Sequence, residues 1–228
     1  MRLLVAGADR VDAGKTTFST GLLHRIGGTG FKPRAGNSFW FDHDDVRRSV
    51  VAGRLYGKDA ARLASASTDD VVPEDINPIH RLWRPNPGQS AGLVGAADRR
   101  FICDRVGDSY VVNEAADVPP VIADGLPLAE GVAVGSLAEL NAVTERRHLV
   151  ALEQVRARIR ARECAVIESY GSVARPLRHL SVDAVAVVEP GRARIYDGDR
   201  YSRACDAAGH SPGDGSLERR VPDVLDHL

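Results

Sequence analysis

Lysine is scarce in this chain: of 30 basic residues only Lys15, Lys32 and Lys58 are lysines. A lysine kept against such an arginine bias marks a place where a compact ammonium does what a planar guanidinium cannot, as inside a phosphate loop. Cysteine is scarce too. Cys103, Cys164 and Cys205 are odd in number and widely spaced, which excludes a disulfide framework and a zinc finger. Cys103 and Cys164 lie in apolar runs and read as buried thiols. No apolar run approaches the ~18 residues of a membrane span, and no signal-peptide pattern opens the chain. A reduced, cytoplasmic, soluble protein with no membrane partner is expected. Net charge is −1, so there is no polybasic signature for nucleic acid. Repeats and low-complexity tracts are absent, and 228 residues fit one α/β domain spanning 1–228.

The strongest motif follows the apolar segment Leu3-Leu4-Val5-Ala6. Gly7 to Thr17 reads Gly-Ala-Asp-Arg-Val-Asp-Ala-Gly-Lys-Thr-Thr, a glycine-bounded loop opening an amphipathic helix. Backbone N–H groups and the helix dipole favour an anion at such a junction. Gly7, Asp12, Ala13, Gly14, Lys15, Thr16 and Thr17 are the expected nucleotide-binding residues. Lys15 would reach the terminal phosphates and the Thr16 hydroxyl would ligate Mg²⁺. The usual pattern places a glycine at the position held here by Asp9, so this loop is longer than the norm.

Along the chain, residues 2–6 read as a strand and Lys15 to about Ile26 as a helix stopped by Gly27-Gly28-Thr29-Gly30. Phe31-Lys32-Pro33 begins an extended segment, and Arg34–Asp45 reads as polar loop. A helix is expected over Val46–Leu55, with a second running to Ala66. Asp69–Gly95, rich in Pro, Gly and Asn, reads as an ordered loop region. Arg100–Val106 and Ser109–Glu114 around Gly107-Asp108 form an expected hairpin. Asp117–Pro127 reads as loop and Leu137–Arg162 as one long helix. Apolar strands Ala165–Glu168 and Ala184–Val188 follow, then an extended run Ala193–Tyr196 and a helix Arg200–Ala208. Short, wholly apolar strands alternating with helices predict an α/β fold: a mainly parallel β-sheet flanked by helices, of P-loop NTPase type, with a small β-hairpin insertion.

In such sheets ligands gather at the carboxyl ends of the strands. Lys32 there could place its ammonium against a transferring phosphoryl group. Asp42-His43-Asp44-Asp45 puts three carboxylates within four residues. Either Asp44 or Asp45 contributes to Mg²⁺ binding, or the cluster caps the helix ahead of Val46; both readings stand on sequence. Glu168, ending a buried strand, is a candidate second metal contact. The Asn-Lys-x-Asp element that reads guanine is missing, which favours ATP.

Gly7-x-Asp9…Gly14-Lys15-Thr16, Gly30-Phe31-Lys32-Pro33, Ile76-Asn77-Pro78 and Val166-Ile167-Glu168…Pro176-Leu177 together resemble dethiobiotin synthetase and the related cobyrinate amide synthases. The resemblance covers about the first 95 residues and a patch at 163–177, leaving an insertion at about 96–136. It implies that Lys15 and Lys32 act as catalytic residues on phosphate and the reacting group. It also implies that Thr16, Asp44 or Asp45, and Glu168 hold Mg²⁺. Members use ATP to activate a carboxyl-type group as a mixed anhydride that meets an amine.

The expected partners are therefore a nucleotide and a small-molecule substrate, with a homodimer left open. Two other functions fit the motifs. A polynucleotide 5′-kinase would use Asp12-Ala13-Gly14-Lys15-Thr16 with Arg81, Arg84, Arg99, Arg100 and Trp83 gripping a strand, against which the neutral net charge stands. A nucleotide-dependent switch or accessory NTPase would gate a partner by hydrolysis.

Overall fold

A computed structural model describes residues 1–8, 13–86, 99–208 and 218–228. The chain is α/β and built on two five-stranded sheets with helices flanking them. The first sheet has the order β10-β9-β1-β8-β2, from β1 (Arg2–Gly7), β2 (Thr29–Phe31), β8 (Ala165–Glu168), β9 (Ala184–Glu189) and β10 (Arg192–Asp197). All pairings are parallel except β9 with β10, a hairpin turned at Gly191 (φ 75°). Val5, Ala6, Val166, Ile167, Val185 and Val187 have almost no exposure. Burial on both faces is why these strands read as unbroken apolar runs. Each fully buried Val or Ile side chain contributes about 1.5–3 kcal/mol.

Loop geometry sets β2 beside β8. Gly28 (φ 98°) turns the chain after α1 (Lys15–Ile26), and a Cβ there would lie 2.6 Å from the carbonyl oxygen of Cys164. Only glycine fits that approach.

After β2 the chain passes through Lys32-Pro33 straight into the second sheet, order β3-β4-β5-β6-β7. Its strands are β3 (Arg34–Ser38), β4 (Ile79–Pro85), β5 (Arg99–Val106), β6 (Ser109–Asn113) and β7 (Val132–Val134). The β3–β4 and β6–β7 pairs are parallel and the two central pairs antiparallel. The expected hairpin is β5–β6, yet it is the middle of a whole sheet rather than a small appendage. Mainly parallel pairing therefore describes the first sheet alone.

Two segments expected as loop, 34–45 and 69–95, supply β3 and β4, and α4 (Pro73–Ile76) lies between them. Arg-Ala-Gly-Asn-Ser has little intrinsic strand preference. Pairing with β4 along its whole length makes β3 a strand, and Asn37 and Ser38 are buried there. Asp117–Pro127 likewise contains a short helix, α5 (Pro120–Gly125). The expected long helix is three pieces: α6 (Leu137–Val143), a π-helical turn Thr144–His148, and α7 (Leu149–Arg160).

Helix α2 (His43–Ala52) begins before the expected start, with Asp42 at its N-cap position. It and α5 cover one face of the second sheet over Leu82, Ile102, Cys103 and Tyr110. The opposite face shares a core with α6, α7 and the first sheet, through Ile79, Phe101, Val111, Leu152, Val155 and Ile159. Helix α3 (Lys58–Ala66) packs on α1 and β2. The chain ends with α8 (Gly198–Ala207) and α9 (Val221–Leu225), whose Val221 and Val224 are fully buried. No helix among the described residues is long and apolar enough to cross a membrane. Cys103 and Cys205 are buried free thiols, whereas Cys164 is only partly covered.

Candidate functional site

The site is built where β1, β8 and β2 end together. Gly7 closes β1 and is buried. Asp12 lies outside the described residues. Ala13 is buried, and Gly14 adopts the left-handed conformation (φ 82°, ψ 12°) as the N-cap of α1, accepting from Phe18 N at 3.0 Å. That φ bends the chain so that the first turn of α1 faces back over the strand ends. Lys15 is 9 % exposed, and its Nζ donates to the Gly171 carbonyl at 3.0 Å. Thr17 is exposed on the helix surface.

Thr16 Oγ1 donates to Glu168 Oε1 at 2.9 Å. Glu168 ends β8 opposite Val5 of β1 and has no solvent exposure. Lys32 Nζ donates to the same Glu168 oxygen at 2.5 Å and to Asp59 Oδ2 at 2.7 Å. Burial opposes a charge on Lys32, but Glu168 and Asp59 outweigh it and hold the ammonium above its usual range. Asp59 is pulled the other way: burial would raise it, while Lys32, aided by a Thr16 hydroxyl contact, lowers it. Its carboxylate is 36 % exposed, so one side of the cluster opens to solvent.

Asp59 was not among the sequence candidates. It stands in the first turn of α3, directly after Lys58, the third of the rare lysines. Glycine then an acid at a helix start was the available signal. The Asp42–Asp45 cluster goes elsewhere. Asp44 is exposed on α2, and Asp42 Oδ2 accepts from Ser38 N at 2.6 Å. Asp45 is buried, accepting from Asn37 Nδ2 (2.8 Å), Arg48 (2.7 Å) and Lys58 N (3.2 Å). The carboxylate that joins Thr16 and Glu168 is therefore Asp59, and neither Asp44 nor Asp45 touches them. Asp45 instead fixes the head of the helix that carries Asp59.

A buried polar chain ties this geometry to the second sheet. Asn77 Nδ2 donates to the carbonyls of Lys32 (2.7 Å) and Ile79 (2.9 Å). The His80 ring lies between Asn77 Oδ1 (3.1 Å) and Asn37 Oδ1 (2.5 Å), and Asn37 continues to Asp45. Lys32 N also donates to Ile76 O at 3.0 Å. The Ile76-Asn77-Pro78 signal thus belongs to a clamp on the Lys32 backbone.

Thr16, Asp59 and Glu168 are the residues that could hold a hard divalent cation. Glu168 Oε2 is buried and has no hydrogen-bond partner, a costly state for an acceptor unless something else takes it up. A hydroxyl and two carboxylates are oxygen donors of the type Mg²⁺ uses alongside phosphates and water. Among the described residues no group of three or more His, Cys, Asp or Glu side chains gathers for a metal, so an all-protein cage is not on offer.

The arginines weighed for a nucleic-acid grip are engaged on the second sheet. Arg81 binds Asp104 through two 2.7 Å bonds, and Arg84 pairs with Asp117 at 2.9 Å. Arg99 stacks 4.2 Å over Trp83, while Arg100 reaches the Ala115 carbonyl at 3.5 Å. No protein-family model matches the chain, and no curated protein shows significant similarity to it.

Proposed function

We propose that the protein is an ATP-binding, Mg²⁺-dependent P-loop ATPase that couples the nucleotide to activation of a small carboxylate or amine substrate. The observation that carries this reading is the convergence of Thr16, Lys32, Asp59 and Glu168 at the strand ends, beside a left-handed Gly14 that opens α1. ATP phosphates would sit against the first turn of α1, with Lys15 exchanging the Gly171 carbonyl for phosphate oxygen. Thr16, Asp59 and Glu168 would hold Mg²⁺, which when bound neutralises charge between the terminal phosphates. Lys32, kept charged by its carboxylate neighbours, would stabilise the negative charge that builds on the transferring group. Lys32 and Mg²⁺ would share the Glu168 carboxylate, one oxygen of which accepts from Lys32 while the other has no partner. The motif order shared with dethiobiotin synthetase-like enzymes supports the same reading.

The test is ATP-dependent thermal stabilisation in Mg²⁺. Lys15→Ala should abolish the rise in melting temperature that ATP gives the wild type; an undiminished rise would remove Lys15 from the nucleotide site.

A further inference from the structure

The residues around Glu168 account for the nucleotide and leave the acceptor side of the reaction without a binding group. A second polar cluster lies next to them. The carboxylate of Glu218 is ion-paired with Arg34 and accepts from the Tyr170 hydroxyl at 2.8 Å. Arg34 is two residues beyond Lys32, and Tyr170 two beyond Glu168. Two residues of chain span at most about 7 Å, so both side chains spring from the rim of the phosphate site.

Arg81 lies on the same face of the second sheet as Arg34. In the parallel β3–β4 register Arg34 lies opposite Ile79 and Gly36 opposite Arg81, so both arginines are on one face of adjacent strands. Burial works against the Arg81 charge, but Asp104 outweighs it, and Tyr170 and Glu218 lie near enough to add to the effect. The Tyr170 hydroxyl already donates to a carboxylate oxygen, the role an incoming oxyanion would take over. Arg34, Arg81 and Glu218 keep 34 %, 32 % and 27 % of their side chains exposed, so the cluster is reachable from solvent.

The segment that carries Glu218 has fasteners besides its carboxylate. Its segment is held by Ala174 N to Arg219 O (2.9 Å), Val221 N to Ser172 O (2.8 Å) and Arg219 Nε to Ala208 O (2.8 Å). One cation and a phenol on one carboxylate, with Arg81 on the same face of the neighbouring strand, make a receptor for an oxyanion at the rim of a phosphate site. The Arg34–Glu218 pair keeps about a third of its surface in water, so a ligand oxyanion arriving from solvent can compete with Glu218 for Arg34.

We propose that Arg34, Tyr170 and Arg81 form an oxyanion subsite, and that Glu218 fills it from within the chain until a carboxylate or phosphate oxygen of a ligand takes its place. Its part in catalysis rests on the nucleotide reading; its capacity to bind an anion does not.

Full-length wild type, Glu218→Gln, Glu218→Ser and Arg34→Gln/Glu218→Gln are titrated calorimetrically with inorganic phosphate, malonate and Mg·ATP. Circular dichroism checks that each is folded, and Glu218→Ser substitutes should Glu218→Gln fail to fold. Removing the internal carboxylate should tighten phosphate and malonate about fivefold, and the added Arg34→Gln should cancel the gain. A parallel gain for Mg·ATP assigns the subsite to the nucleotide's phosphates. A gain for malonate that persists in Mg·ADP, with Mg·ATP unchanged, assigns it to the acceptor. Folded Glu218 variants that bind all three probes as the wild type does would overturn the proposal. In a Lys15→Ala background the malonate gain should persist, so loss of ATP binding there tests the nucleotide reading alone.

Discussion

Two buried ionic clusters, one at the strand ends of the first sheet and one within the second sheet, are finished differently. At the first-sheet strand ends, Lys32 bridges Glu168 and Asp59 while Glu168 Oε2 has no partner. Within the second sheet, Asp104 is fully buried and both its oxygens are used, by Arg81 through two bonds and by His148 Nε2 at 2.9 Å. Burial pushes Asp104 up, but the Arg81 guanidinium, with His148, brings its carboxyl down to about 2. A saturated carboxylate holds strands and helix together. An unsaturated one, at a strand end with one side open, is ready for something else.

Breaking each cluster should separate the two roles. Glu168→Gln should give the largest effect, weakening the Mg²⁺ dependence of ATP binding about 100-fold; an unaltered Mg²⁺ titration would remove Glu168 as a ligand. Asp104→Asn should cost roughly 2 kcal/mol of unfolding free energy in urea, because Arg81 loses a charged partner and is itself only partly buried. Its affinity for Mg·ATP should not change. The folded carboxyl titrates near 2, below its ordinary 3.8, so the stability it gives is present above about 3.8 and lost as pH falls through about 2. Urea midpoints of wild type and Asp104→Asn should therefore converge toward pH 2, and a constant gap would contradict the ion pair. Asp59→Asn should weaken Mg²⁺ about tenfold, in keeping with its more exposed position. Asp44→Asn should leave both Mg²⁺ affinity and stability within about 0.5 kcal/mol of wild type, as an exposed surface acid. The reverse order, with Asp44 dominant, would restore the acidic cluster as the metal contact.

The contrast between Asp44 and Asp59 also measures what was legible beforehand. Lys15, Thr16, Lys32 and Glu168 were readable as candidates because each follows a local pattern: a glycine turn into a helix, or a charge ending an apolar run. The structure brings Thr16 and Lys32 onto the same oxygen of Glu168. Asp59 was hidden because its neighbours in the cluster lie 27 and more residues away, and no local pattern records such a contact. Three aspartates within four residues drew attention by density alone, yet Asp42 and Asp45 serve the backbone of β3 and the head of α3.

The second sheet was the larger omission. Strands β1, β8 and β9 are buried on both faces, so hydrophobicity alone revealed them. Strands β3 and β4 carry Arg34, Asn37, His80 and Arg81, whose polarity reads as loop until their partners are known. Composition, the glycine-bounded loop and the rarity of lysine were properties of the chain itself, and they were enough to mark Lys15 and Lys32. Which carboxylates meet those lysines, and that Glu218 returns to Arg34 from the far end of the chain, only the tertiary structure decided. Long-range pairing is chosen by the fit of whole elements, and a charge finds its partner only after the elements have packed.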